Sequence, residues 1–220
     1  MEPPFVAPPV HARIAEGLER IAMALRADDW VRARTAGVTP TQLAILRLLD
    51  GRHRGWTVKD LSLHLGVSQP TATDSILALE RKALIEKRAD PADGRAVRIV
   101  ITSAGRAVVR AGHETAGAVD RATSALNDDD QEQLLVQLVS VIRQLQEQGT
   151  IPIQRMCVSC RYFRPYAHAD AAQPHHCNFV DAAFGQQDLR IDCRDHETAD
   201  PSARAATWGA FQKDHHPPGN

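Results

Sequence analysis

Residues 151–220 hold only six Leu, Ile or Val side chains: Ile151, Ile153, Val158, Val180, Leu189 and Ile191. So little aliphatic material cannot order the segment by itself, because fixing each residue costs roughly 1.5 kcal/mol of conformational entropy. The segment needs a staple, a partner surface or disorder. It also gathers all four cysteines (Cys157, Cys160, Cys177, Cys193), six of the ten histidines and seven of the ten aromatic residues. Residues 1–150 differ, being rich in Ala, Leu, Val and Arg at helical spacing. The boundary between the two regimes is expected at Gly149-Thr150-Ile151-Pro152, where Gly and Pro interrupt the periodicity.

Composition narrows the class. With 26 basic and 27 acidic residues, the chain is neither a polycation that coats nucleic acid nor an acidic tail protein, and only a local basic patch remains open. Its apolar runs fall well short of the ~20 residues that span a bilayer. Met1-Glu2-Pro3-Pro4 shows neither the basic nor the apolar region of a secretory signal. A cytoplasmic protein without membrane contact is the expectation.

The cysteines read Cys157-x2-Cys160-x16-Cys177-x15-Cys193. A lone C-x-x-C says little, but one joined by two further cysteines, with none elsewhere, points to a site. A disulfide framework is not expected in a cytosolic chain. A thioredoxin-like motif lacks its surrounding βαβ pattern. Two metal readings remain. Four thiolates complete the closed tetrahedron of a structural zinc ion, with His196 in Cys193-Arg194-Asp195-His196, or His175 and His176, as lesser candidates to replace a cysteine. Four thiolates also hold an iron–sulfur cluster. The single C-x-x-C with two isolated cysteines, and Tyr162-Phe163 directly after the pair, resemble the high-potential iron–sulfur proteins.

In the first 150 residues, Ile14, Leu18, Ile21 and Leu25 form one apolar stripe on a helix over about 10–27. Thr39-Pro40 reads as an N-cap and first helical residue, opening a helix with Leu43, Leu46, Leu48 and Leu49. Thr57 to Asp60 resembles a capping box for a short helix that Gly66 closes. Ser68, with Pro70 in the first turn, starts a third helix that buries Ala72, Ile76, Leu79 and Ala83. The period then changes to two. Val97, Ile99 and Ile101 alternate in a strand paired with Ile85 to Arg88, and Asp90 to Gly94 is the hairpin between them. A helix is expected over Ser103 to Leu126. Asn127 caps another, striped by Leu134, Leu138, Val141 and Leu145, with Leu135 and Ile142 beside them.

Helix, short helix, tight turn, helix and hairpin is the order of a winged helix-turn-helix, so the fold class is mainly α with a small β-hairpin wing. Ser68 would begin the reading helix. Its outward Gln69, Thr71, Thr73 and Asp74 can all hydrogen-bond to base edges. Lys87, Arg88, Arg95 and Arg98 lie on or near the hairpin arm. An arginine at its tip suits the negative potential of a narrow minor groove, and the other basic residues suit phosphates.

The stretch from Val38 to about Gly105 resembles the MarR family of bacterial transcription regulators. Asp90-Pro91-Ala92-Asp93-Gly94-Arg95, followed by Ile101-Thr102-Ser103-Ala104-Gly105, is similar to that family's wing and its entry into the next helix. Ser68-Gln69-Pro70-Thr71-Ala72-Thr73 is similar to the start of its recognition helix. The resemblance implies that Asp93 orients Arg95 and that Arg95 enters the minor groove. Gly94 and Ile101 depart from the pattern. It also implies a homodimer whose outer helices interleave, bound to a palindromic operator in double-stranded DNA. A small aromatic effector would sit between the dimer helices and the winged domain, beside His11, Trp30, Arg34 or His113. The four-cysteine segment lies outside the common family fold.

The expected organisation is an N-terminal arm and dimerisation helix (1–37), the winged domain (38–102), dimerisation helices (103–148), a metal-stapled segment (151–200) and a flexible tail (201–220). The function expected is that of a DNA-binding transcriptional repressor with a structural zinc site; an iron–sulfur redox or iron sensor is the alternative. A winged helix that binds protein instead of DNA belongs to another class. An enzyme is not expected, because ligation leaves no cysteine nucleophile and no general base stands nearby.

Overall fold

The computed structural model describes residues 8–52, 55–90, 94, 96–113 and 116–215. Asp93 and Arg95 lie outside the described residues. The chain divides into two compact units. The first comprises the described residues up to Asp50, Gly55–Val58 and those of Gln69–Ala125; the second comprises the described residues of Gly51–Arg54, Lys59–Ser68 and Leu126–Asn220.

The first unit contains α1 (Val10–Thr35), α2 (Pro40–Leu49), α4 (Gln69–Arg81), α5 (Ser103–His113) and α6 (Ala118–Thr123). Strands β1 (Ile85–Ala89) and β2 (Val97–Ile101) complete it. Helix α2 is central, packing against α1, α4, α5 and β2. Thr39 is the expected N-cap with Pro40 in the first turn, and Gln42 completes a capping box with it. The Gln42 amide N–H donates to Thr39 Oγ1 at 3.2 Å, and the Thr39 N–H donates to Gln42 Oε1 at 3.3 Å. Leu43, Ile45, Leu46 and Leu49 are then buried with Ala72, Ile76, Leu79, Ile85, Ile99 and Ile101.

The hairpin pairs Ile85 with Ile101 and Ala89 with Val97 in antiparallel register. Trp56 joins its edge through a backbone bridge to Ile99. Gly55 makes this possible: its φ is +64°, and a Cβ there would lie 2.4 Å from the Ile99 carbonyl oxygen. Thr102 closes the hairpin and opens α5. Its hydroxyl donates to the Ala83 carbonyl at 2.9 Å and accepts the Gly105 N–H at 3.1 Å. A Cβ on Gly105 would stand 2.2 Å from the Leu84 carbonyl oxygen, so Thr-x-x-Gly here is a packing requirement.

The single helix expected over Ser103 to Leu126 is broken. Helix α5 ends at His113, and α6 starts afresh after Gly117. Gly112 and Gly117 lower the helical propensity there. Charges of α1 and α6 hold the new start. Asp120 Oδ2 accepts the Gly117 N–H, Asp28 Oδ2 accepts the Ala118 N–H at 2.6 Å, and Arg32 pairs with Asp120 at 2.7 Å.

The second unit contains α3 (Val58–Leu65, from Lys59 on) and α7 (Asp128–Glu147). It also contains a three-stranded antiparallel sheet of β3 (Phe163–Arg164), β4 (His175–Cys177) and β5 (Ala182–Phe184), and α8 (Pro201–His215). The expected boundary at 149–152 is corrected here, since the unit begins at Leu126 and takes in α7. The reason is the aliphatic deficit of residues 151–220. Helix α7 supplies Val136 and Val139, with Leu135 and Ile142 beside them, against Met156, Val158, Phe163, Leu189 and Phe211. Its buried face is therefore offset from the expected stripe: Leu134 and Val141 remain exposed.

Residues 201–215 are likewise corrected. They form a helix, not a flexible tail, because Phe211 is 1% exposed and sits in an aromatic core. Its ring lies 6.2 Å from those of Phe163 and Tyr166 and 5.6 Å from that of Trp208. Among the described residues no helix is long and apolar enough to cross a membrane.

Candidate nucleic-acid interface and cysteine site

Helix α4 is amphipathic in the way a reading helix requires. Ala72, Ile76 and Leu79 are buried, while Gln69, Thr71, Thr73 and Asp74 are exposed. Ser68, just before it, is exposed as well. The Thr73 hydroxyl donates back to the Gln69 carbonyl at 2.8 Å.

Lys87, Arg88 and Arg98 carry carboxylate partners that sequence spacing did not reveal. Lys87 Nζ pairs with Glu80 of α4 at 2.6 Å, and Arg88 pairs with Glu86 two residues away on its own strand. Both pairs are well exposed, and exposed pairs contribute only ~0–1 kcal/mol, so either cation can change partner at little cost. Arg98 is different. Its Nε donates to Asp90 at 2.5 Å, and Asp90 is buried, with its own N–H on the Ala96 carbonyl. Arg98 thus fastens the neck of the hairpin.

The cysteines are all free thiols. Cys157 and Cys160 flank a 3-10 turn in which the Cys160 N–H donates to the Cys157 carbonyl at 2.9 Å. Cys177 ends β4, opposite Phe163. Cys193 is tied to the first pair by its N–H on the Arg155 carbonyl, while the Cys157 N–H meets the Arg190 carbonyl. Backbone donors point at the sulfurs. The Arg190 N–H donates to Cys157 Sγ at 3.3 Å, and Tyr162 and Glu197 do the same for Cys160. Burial pushes the Cys157 thiol up to about 11, opposed by the Arg190 amide and reinforced by the other three cysteines. Cys160 is raised by burial too. As placed, no three His, Cys, Asp or Glu side chains among the described residues form a group that could hold a metal ion.

The nearby histidines have structural partners. His175 is fully buried; its Nδ1 accepts the Tyr166 N–H at 3.2 Å, so Nε2 carries the proton toward Gln186 Oε1 at 3.2 Å. His176 faces His168 at 3.2 Å and Asp181 at 3.3 Å. His196 meets Ser159 Oγ at 3.0 Å, and burial, then Arg52, push it down to about 4.

A cleft of about 230 Å³ in the first unit is lined by Asp28, Val31, Arg32 and Thr35 of α1 and by residues around the α5–α6 break, including Arg121. His11, Trp30 and Arg34 do not line it, and the His113 side chain lies outside the described residues.

The model of the MarR family matches residues 36–96. This winged segment is thus similar to the MarR family. MarR proteins are transcription regulators and not enzymes. Among solved structures, the MepR–DNA complex of S. aureus is 24% identical, covering 60% of this chain and 97% of that one at a TM-score of 0.49. CouR of Rhodococcus jostii RHA1 bound to p-coumaroyl-CoA is 20% identical, covering 61% and 95% at 0.49. CouR bound to a 23-mer DNA duplex is 24% identical, covering 62% and 99% at 0.49. No curated protein matches the chain.

Proposed function

We propose that this MarR-type regulator binds a palindromic operator as a homodimer, acts as a repressor, and holds a structural zinc ion on Cys157, Cys160, Cys177 and Cys193. One observation carries the DNA reading. Within the matched segment, α4 buries its apolar face and exposes Gln69, Thr71, Thr73 and Asp74, and the hairpin follows directly in the chain. Gln69 can bind adenine bidentately, the threonines offer hydroxyl or methyl, and Asp74 can accept from cytosine N4. Lys87 and Arg88 are placed to exchange their carboxylates for phosphates.

The dimer is supported by α1. Its stripe Ile14, Leu18, Ile21 and Leu25 is 40–55% exposed in the single chain, as an isologous partner surface would be. A small aromatic acid as effector is supported by the α1 cleft, where Arg32 and Arg121 offer positive charge.

Zinc is supported by the donor chemistry: Cys157 and Cys160 each lie within electrostatic reach of Cys177 and Cys193, and backbone N–H groups meet both of their sulfurs. Such donors favour the thiolate form that a metal needs. Bound zinc would contribute folding energy to a unit short of aliphatic core.

Arg95→Ala tests the DNA reading against a winged helix that binds protein. Titration of a selected operator is expected to show a loss of about 1–3 kcal/mol, as for a good groove contact. Undiminished specific binding would mean that the wing does not read DNA.

A further inference from the structure

Lys87, Arg88 and Arg98 of the hairpin differ in what holds them. Arg88 and Arg98 are register partners on the two strands, so two like charges stand side by side on one face. Each is met by a carboxylate of the hairpin itself, Arg88 by Glu86 and Arg98 by Asp90. Lys87 lies on the other face, which it shares with Ile85 and its register partner Ile99. Its partner comes from the reading helix: Lys87 Nζ donates to Glu80 Oε2 of α4 at 2.6 Å.

Glu80 also lies on the row of α4 that carries two of the proposed base contacts. Gln69, Thr73 and Glu80 stand at i, i+4 and i+11, within about 40° of one another around the helix axis. The row therefore runs from neutral hydrogen-bonding groups to a carboxylate about two turns beyond Thr73. A carboxylate on a surface that meets DNA opposes binding, and this one does so twice. It neutralises the nearest cation of the hairpin, and once a phosphate takes Lys87 it is left unpaired beside a polyanion. The pair keeps just over a third of each side chain exposed, at 37% and 38%, so the exchange needs no repacking. Both effects are blind to base sequence, because phosphates are.

We infer that Glu80 is a brake on sequence-independent DNA affinity: it withholds Lys87 from phosphates and so limits how strongly DNA without an operator retains the protein. The inference rests on the DNA-binding reading above. The hairpin's own pairs serve other ends. Asp90 is buried and fastens the neck through Arg98, and Glu86 and Arg88 lie on the strand face turned away from α4. Glu80 is the carboxylate that joins the reading helix to a cation of the hairpin. Because a genome offers roughly 10⁶–10⁹ competing sites, a sequence-blind term of this kind decides how much protein is free to find an operator.

The experiment compares the full chain with Glu80→Gln, Lys87→Gln and the double variant. Glutamine keeps the size and helix propensity of glutamate and removes only its charge; circular dichroism checks the helix content. Fluorescence anisotropy follows binding to a selected operator and to a duplex of unrelated sequence between about 50 and 200 mM salt. Glu80→Gln is expected to bind both duplexes at least about threefold more tightly, the scale of one exposed ion pair. Its plot of log affinity against log salt is expected to steepen by about 0.9, the value of one further phosphate contact. In the Lys87→Gln background the same substitution is expected to give less than half of that gain, because the brake acts through Lys87. Unchanged affinity and slope in Glu80→Gln overturn the brake. Weaker binding overturns it too, and makes Glu80 a support that seats the hairpin on α4. A gain that persists in full without Lys87 overturns the withholding of that lysine, and a gain confined to the operator overturns the claim of sequence independence. Wild-type protein that binds both duplexes equally fails the operator reading, and the variants still decide the brake. Wild-type protein that binds neither overturns the DNA reading and the brake together.

Discussion

Leu18→Glu with Ile21→Glu is expected to convert the protein to a monomer and to reduce operator affinity by more than about 100-fold, the scale of losing a few kcal/mol. The two side chains are 40% and 46% exposed in the single chain, on the stripe shared with Ile14 and Leu25. A two-fold interface would bury them twice. Completing the burial of four half-covered aliphatic side chains is worth about 3–6 kcal/mol, and placing carboxylates there adds a desolvation cost. Glutamate is a good helix former, so α1 itself should persist. Light scattering reads the mass, circular dichroism the helix, and titration the affinity. A dimer that survives with full operator affinity would show that α1 is not the dimer surface.

Phe211→Ala is expected to destabilise the second unit by about 3–5 kcal/mol, the range for removing a buried aromatic side chain. Phe211 is 1% exposed, with its ring 5.8 Å from that of His175 and within 6.2 Å of those of Phe163, Tyr166 and Trp208. The segment has almost no aliphatic side chains to refill the space, so the cavity should persist. Urea unfolding of the full chain, followed by tryptophan fluorescence, measures the loss. A change below about 1 kcal/mol, as for a surface position, would mean that α8 does not close this core.

The local grammar of the first unit was largely legible. The Thr39 N-cap, the Asn127 cap, the buried Ala72, Ile76 and Leu79 of α4 and the pairing of β1 with β2 all follow from short-range rules. Allegiance was harder to read. Helix α7 carries Leu134, Leu138, Val141 and Leu145 on one face, and Leu135, Val136, Val139 and Ile142 on the adjoining one. Periodicity alone cannot say which face meets its own chain, and buried Arg143 and Gln146 blur it further. Helix α8 was missed because it is alanine-rich, with Trp208 and Phe211 as its large apolar residues and no repeating stripe. The carboxylate partners of Lys87 and Arg98 were missed because they come from another helix and from the hairpin neck, neither at a helical spacing. The cysteine spacing pointed to a shared site, but the union of α3 with the cysteine-bearing unit is long-range and leaves no local trace.

The central claim is that α4 and the hairpin read DNA as a two-fold pair. Selecting duplexes from a random pool with the full-length protein, then footprinting the bound sequence, tests this most directly. The account predicts an inverted repeat with half-sites about 34–36 Å apart, and an affinity that falls steeply with salt. A pool with no enriched sequence, or a lone half-site bound by one protomer, would contradict it.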